Sequence, residues 1–186
     1  MWWVELLNTI TAILDAGAGG GGGSYESIAT ATGTGSSATI TFSSIPSTYK
    51  HLQIRATIRR VSGTAGIRMT FNSDSTTSYD YHALSGNGTT AISAGVASDA
   101  YIIYTGQAIS TASTVSAAIT DIHDYASTTK NKTVRSFNGF DTNGTGTVYL
   151  GSGLWRNTAA INTITITTTA NFDVETVFSL YGIRGA

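Results

Sequence analysis

The sequence predicts an all-β chain: an antiparallel β-sandwich of about ten strands, jelly-roll-like, preceded by a short N-terminal amphipathic helix. From Tyr25 onward, β-branched and aromatic residues alternate with polar ones at a period of two, which is typical of half-buried strands. Gly, Asn and Asp turn signals separate these short runs. No helical pattern of useful length follows residue 24, so an alternating α/β fold is excluded.

The first predicted element is a helix over residues 1–15. Its apolar seam has heptad spacing at Trp3, Leu7, Ile10 and Leu14. A helix of this length is marginal alone in water, so we expect it to anchor the chain on a partner or to bring copies together. The residues predicted to carry this role are Trp2, Trp3, Leu6, Leu7, Ile10, Ile13 and Leu14.

Residues 16–24 are Gly-rich and predict a flexible tether. Such a chain spans about 15–20 Å as a coil and about 30 Å when extended. A phosphate-binding loop is not supported, because no Gly-Lys-Ser/Thr follows and no strand precedes the glycines. The β-domain is therefore predicted over residues 25–186.

The clearest strand lies between residues 50 and 59. One face is predicted to carry Leu52, Ile54, Ala56 and Ile58, and the other Gln53, Arg55, Thr57 and Arg59. Ile164 and Ile166 alternate with threonines in the same way. Further strands are predicted in 101–105, 115–122, 133–140, 147–155 and 176–183, the last with both faces buried because apolar residues lie on both.

Turn-forming residues lie between the predicted strands, at Gly33-Thr34-Gly35, Ser62-Gly63, Asn72-Ser73-Asp74, Gly86-Asn87-Gly88, Asn143-Gly144 and Arg156-Asn157. Asp141 before Asn143-Gly144 resembles the start of a calcium loop. The downstream bidentate Glu that such a loop requires is missing, so a hairpin turn is favoured.

Composition excludes several classes of function. The net charge is −1 and only 11% of residues are charged, so there is no electrostatic footprint for nucleic acid or an anionic membrane. There is no cysteine, which excludes disulfides, thiolate nucleophiles and Cys-based zinc sites. The N-terminal apolar stretch has neither the basic start of a signal peptide nor the length of a membrane span.

The densest polar stretch runs from Asp121 to Tyr125. Asp121 and His123 share one face of a strand, so two metal ligands are one interpretation. The favoured interpretation is a strand that ends in a turn at Asp124, with its carboxylate bonded to nearby backbone N–H groups. Neither a nucleophile elbow nor a convincing carboxylate pair is present, and we expect no enzyme activity, no metal and no cofactor.

Two groups of side chains suggest contacts with other molecules. The basic residues Arg55, Arg59, Arg60 and Arg68 are a candidate contact for a partner, against the alternative of a solvated strand face. Exposed aromatics are a candidate platform for carbohydrate, although about half of such residues are expected to be core in a sandwich. These are Tyr79, Tyr81, Tyr101 and Tyr104.

Three segments carry a sequence resemblance. Residues 44–55 read Ser-Ile-Pro-x-x-Tyr-x-x-Leu-x-Ile-Arg, residues 153–161 read Gly-Leu-Trp-x-x-Thr-x-Ala-Ile, and residues 178–185 read Phe-x-Leu-Tyr-Gly-Ile-x-Gly. In these segments the chain resembles a family of small virion proteins of tailed bacteriophages, over roughly residues 25–186. The resemblance implies a surface component of the head or tail, and it brings no catalytic residues.

The resemblance and the domain organisation together predict a non-enzymatic structural protein of the virion, assembled in the cytoplasm of the host bacterium. The first hypothesis is a capsid decoration or cement protein anchored through its N-terminal segment. The alternative is a tail-fibre or receptor-binding component that recognises a host surface glycan. The expected partners are the major capsid protein or tail proteins and further copies in a homotrimer, with no nucleic acid and no membrane.

Overall fold

The structure, a computed structural model, describes residues 24–103 and 105–185. The predicted helix over residues 1–15 and all but the last residue of the predicted tether lie outside the described residues. The described part of the chain contains thirteen strands and no helix. The strands are β1 (Tyr25–Thr32), β2 (Thr39–Phe42), β3 (His51–Ile58), β4 (Ala65–Gly66), β5 (Arg68–Phe71), β6 (Tyr79–Gly86), β7 (Ala91–Asp99), β8 (Gln107–Ala108), β9 (Ser116–His123), β10 (Lys132–Asp141), β11 (Gly146–Trp155), β12 (Ile164–Thr167) and β13 (Val177–Ile183).

Eight strands form one wide sheet in the order β1-β13-β3-β9-β10-β11-β6-β7, and every neighbouring pair is antiparallel. Strands β9, β10 and β11 form a meander in the middle of the sheet. Its β10–β11 turn contains Asn143 and Gly144 with φ of 59° and 105°, the left-handed values that both central residues of a type I′ turn need. The predicted hairpin turn at Asn143-Gly144 is confirmed.

A second antiparallel sheet has the order β2-β12-β5, and β4 and β8 form a short separate pair. The three-stranded sheet and one face of the eight-stranded sheet contribute to a single buried hydrophobic cluster. We call this face of the eight-stranded sheet the inner face, and the opposite one the outer face. The three-stranded sheet contributes Ile40, Phe42, Met69, Phe71, Ile164 and Ile166 to the core.

The carboxylate of Asp74 accepts a hydrogen bond from the aromatic part of the core. Trp155 is fully buried beside Tyr79, and its Nε1 donates a hydrogen bond to Asp74 Oδ2 at 2.7 Å. Burial opposes ionisation of Asp74, but hydrogen bonds from Ser78, Thr76 and Trp155 outweigh it and hold the pKa of this carboxyl well below its usual range. Burial also raises the pKa of Tyr79 to about 12, and its hydroxyl donates to Asp74 O at 3.1 Å.

A buried lysine joins two loops at one end of the sheet. Lys132 is fully buried, and its Nζ donates to Ser127 O and Lys130 O at 2.7 Å and to Thr158 O at 3.0 Å. Burial lowers the pKa of Lys132. Three carbonyl acceptors compensate the lost hydration of the ammonium group, which is what a buried cation requires.

The all-β class and the antiparallel sheets are confirmed, and the jelly-roll sandwich stays a prediction. The buried face predicted for β3 is confirmed, since Leu52, Ile54, Ala56 and Ile58 are buried. On the other face Arg55 and Thr57 are exposed as predicted, but Gln53 is buried. The expectation that residues 176–183 are buried on both faces is only partly right, because the outward side chains of β13 are half-buried. The strand predicted over 101–105 is not seen in the described residues 101–103 and 105, where Ile102 makes an isolated bridge to Met69.

Candidate interaction surface

Four large apolar side chains stand in one line on the outer face of the eight-stranded sheet. Phe137 on β10 is directly opposite Ile119 on β9 and Leu150 on β11, and Leu150 is opposite Leu84 on β6. Their exposed fractions are 44% for Ile119, 60% for Phe137, 52% for Leu150 and 54% for Leu84. We call these four residues the apolar ridge. Cross-strand neighbours on one face are close enough to touch, so the ridge is a continuous apolar strip across four strands.

The neighbouring line of residues is made of smaller side chains. Gly139 is opposite Ala117 on one side and Val148 on the other, and Val148 is opposite Gly86. We call these four residues the trough. A groove of 340 Å³ lies where the trough meets Ile119 and Phe137. A Cβ on Gly139 would come within 2.9 Å of Thr147 O, so the close approach of β10 and β11 requires glycine there.

The line on the other side of the ridge is polar. Gln53 Nε2 donates to Asp121 Oδ1 at 2.7 Å, and Arg135 Nη2 lies 3.7 Å from Asp121 Oδ2. The Arg135 side chain is 63% exposed. Exposed apolar surface with a polar border is typical of a contact site for another polypeptide, because burying it removes apolar area from water while the border stays solvated.

The four predicted contact arginines do not form one surface. Arg55 lies on the outer face, opposite Ile119 at the end of the ridge, and its guanidinium lies over the rings of Tyr25 and Tyr181. Arg59 pairs with Glu175 at 2.6 Å, Arg60 is 5% exposed and donates to Thr169 Oγ1, and Arg68 lies over Tyr101. Partner contact stays a prediction, and Arg55 is the arginine that adjoins the ridge.

The described tyrosines of the predicted carbohydrate platform do not form one exposed surface. Tyr79 is a core residue with no exposed surface, so its expected exposure is wrong. Its burial follows from partners for its hydroxyl in the 71–74 turn. Tyr81 is half-buried on the inner side, and Tyr101 is half-buried under Arg68. Tyr104 lies outside the described residues.

The stretch from Asp121 to Tyr125 ends β9 and enters a turn, as favoured. Asp124 has φ 48°, and its carboxylate pairs with Lys50 at 2.8 Å and Lys130 at 2.9 Å rather than with backbone N–H groups. These lysines hold the pKa of Asp124 well below its usual range. The His51 and His123 rings lie 5.1 Å apart. Within residues 24–103 and 105–185, no three His, Cys, Asp or Glu residues are grouped as metal ligands.

Residues of the three segments that carry the resemblance contact one another or a shared neighbour in the fold. The ring of Tyr49, from the first segment, lies against Gly182 of the third, where a Cβ would come within 2.3 Å of the ring. Tyr125 connects the first and second segments, since its hydroxyl donates to Pro46 O and its carbonyl accepts from Ile161 N. The residues of these segments therefore contribute to the packing of the domain.

Comparison with known proteins adds no relative. No protein-family model matches the chain, and neither a curated protein nor a solved structure is significantly similar to it. In the described part of the chain, no helix is long and apolar enough to cross a membrane.

Sequence reasoning missed the apolar ridge. In β10 the inward positions carry Val134, Ser136 and Asn138, while Phe137 points outward. A period of two shows that these residues face opposite ways, but not which face the second sheet covers. The signal that could have revealed the ridge is a large apolar residue at the same outward position of several strands. That alignment can be recognised only when the register of the strands is known.

Proposed function

We propose that this chain is a non-enzymatic structural protein on the surface of a tailed-bacteriophage particle, a capsid decoration protein anchored through its N-terminal segment. The observation that carries the proposal is the exposed apolar ridge with its trough, a surface suited to contact with other polypeptides. The resemblance of the three packed segments to small virion proteins of tailed bacteriophages supports the assignment to a phage particle. A surface built mainly from Thr, Ser, Asn and Gly, with 11% charged residues, agrees with this setting.

The proposal assigns each region a task. Residues 1–15 form the amphipathic helix that docks on the major capsid protein or a tail protein, and the tether carries a jelly-roll-like sandwich above the docking point. Copies associate as a homotrimer through the heptad seam. Arg55 extends the contact surface beside Ile119. The protein is part of the virion and is assembled in the cytoplasm of the host.

The location of the chain in purified particles tests the proposal. Cryo-electron microscopy of symmetry-averaged heads and separately reconstructed tails should show this domain on the head lattice, in hundreds of copies, at three-fold or quasi-three-fold positions. Density confined to the tail, in a few to some dozens of copies, would replace decoration with the tail-fibre or glycan-binding role. Particles that lack the chain altogether would refute a virion protein of either kind.

A deletion tests the anchoring role. Removing residues 1–15 should leave a domain that folds but does not join the particle, because the predicted docking stripe is gone. Incorporation is measured by quantifying the chain in particles that assembled in the presence of the truncated form. Incorporation at the level of the full chain would show that the N-terminal segment is not the anchor.

A further inference from the structure

The chain carries two apolar surfaces, one seen in the described structure and one predicted from the sequence. Nothing in the described part of the chain covers the apolar ridge on the outer face. The second surface is the predicted apolar seam of residues 2–14. A helix of this length is marginally stable alone in water, so it needs a partner surface for its seam. Two such surfaces on one polypeptide meet at a high effective concentration, in the millimolar range for a short flexible linker.

The connecting segment is long enough to bring them together. Tyr25 starts the edge strand β1, three strand spacings from Ala117 on β9, where the trough begins, which corresponds to about 14 Å. Tyr25 also lies six residues along the strands from the line of Ala117, or about 20 Å. The distance in the plane of the sheet is therefore about 24 Å. Residues 16–24 span about 30 Å when extended, so the N-terminal segment reaches its own ridge.

The dimensions of the two surfaces agree. The ridge and the trough cross four strands, and three spacings between Ile119 and Leu84 give about 14 Å. From Trp3 to Leu14 a helix rises about 16 Å. The trough supplies a low surface at Ala117, Gly139 and Gly86, which have small side chains or none, and Val148, 45% exposed, adds an apolar contact between the two glycines.

The charges agree as well. Residues 1–24 contain Glu5 and Asp15 and no Lys or Arg. On the polar border Arg135 lies 3.7 Å from Asp121, so the excess positive charge beside the ridge is that of Arg55 at the β9 end. When the tether approaches from β1, the C-terminal end of the helix lies nearest β9, which places Asp15 and the negative end of the helix dipole on the side of Arg55.

We propose that residues 2–14 lie as a helix in the trough, with their seam against the apolar ridge of the same molecule. This inference goes beyond the particle assignment and concerns the free chain, so it stands or falls independently of it. Docking within one molecule covers both apolar surfaces before assembly. Transfer of the helix to an external partner then uncovers the apolar ridge, while the partner covers the seam.

The absence of cysteine allows a direct test in the full chain. Ala117→Cys places one thiol in the trough, where Ala117 is exposed in the described structure. Labelling by a maleimide is measured in this variant and in one that also carries Leu7→Asp and Ile10→Asp, which spoil the seam. If nine-tenths of the molecules are docked, Cys at position 117 should be labelled about ten-fold more slowly in the variant with the natural seam than in the variant that also carries Leu7→Asp and Ile10→Asp.

Two further thiols serve as controls. Val174→Cys lies in the loop between β12 and β13, belongs to neither the ridge nor the trough, and is 67% exposed, so its labelling rate should be equal in both backgrounds. Ala118→Cys points to the inner face next to position 117 and should stay unreactive in both, which shows that the spoiled seam has not unfolded the domain.

Each outcome decides the proposal. Protection at position 117 that depends on the seam and does not change on dilution supports docking within one molecule. Protection that disappears on dilution means that another copy covers the ridge, and overturns the proposal. Equal labelling at position 117 in the two backgrounds, with the controls as expected, overturns it too.

Discussion

The two faces of the eight-stranded sheet are built from the same strands but differ in what their apolar residues do. On β11, Trp155 faces inward and is 1% exposed, whereas Leu150 faces outward and is 52% exposed. The inner face shares its core with the three-stranded sheet and fastens its aromatic residues with Asp74. The outer face has no such cover in the described part of the chain. An apolar side chain thus stabilises the fold on one face and offers a contact on the other.

The sharpest test of this difference uses two residues of β11. Trp155→Ala should lower the free energy of unfolding by about 3–5 kcal/mol, because it opens a cavity and removes a donor from Asp74. Leu150→Ala, the matched change on the outer face, should cost less than about 1 kcal/mol. Both values come from denaturant unfolding of the full chain. Equal losses for the two variants would mean that the outer face is as much a part of the folding core as the inner one.

Lys132 allows a second test, at a polar position. Lys132→Met should cost at least about 2 kcal/mol, because three carbonyl oxygens lose their donor in a buried site. Its control is Lys130→Met, since Lys130 makes an exposed ion pair with Asp124 and should contribute less than about 1 kcal/mol. Thermal unfolding of both variants checks the order. A larger loss for Lys130→Met would show that the surface pair, not the buried ammonium, holds these loops.

The smallest expected effect is a pH dependence that comes from Asp74. Its pKa is lower in the folded chain than in the unfolded chain, so its contribution to stability is complete above the ordinary Asp pKa of about 3.9 and is lost as the pH falls below it. Asp74→Asn lacks this contribution at every pH. Between about pH 5 and about pH 2.5 the unmodified chain should therefore lose more thermal stability than Asp74→Asn. Parallel losses would show that folding does not lower the pKa of Asp74.

The all-β class, the buried face of β3 and the left-handed turns follow from local features of the sequence. A period of two needs only successive residues, and a positive φ at Asn143-Gly144, Gly63 or Gly88 depends on the turn residue itself. Strands β6 and β7 were not predicted, because small and polar residues weaken their pattern. The sequence by itself thus determined the all-β class, the strands with a clear alternation, and the turns formed by Gly and Asn.

Only the tertiary structure decided which faces are covered and which side chains meet. Phe137 and Trp155 are both aromatic residues in predicted strands, but the first is in the ridge and the second in the core. Arg60 and Tyr79 looked suited to the surface and are buried. Arg60 Nη2 donates to Thr169 Oγ1, which is distant in the chain, and the Tyr79 hydroxyl accepts from Phe71 N in a nearby turn. The ridge itself arises from the register of β6, β9, β10 and β11. Register and cover depend on contacts between residues far apart in the chain, and no local pattern contains them.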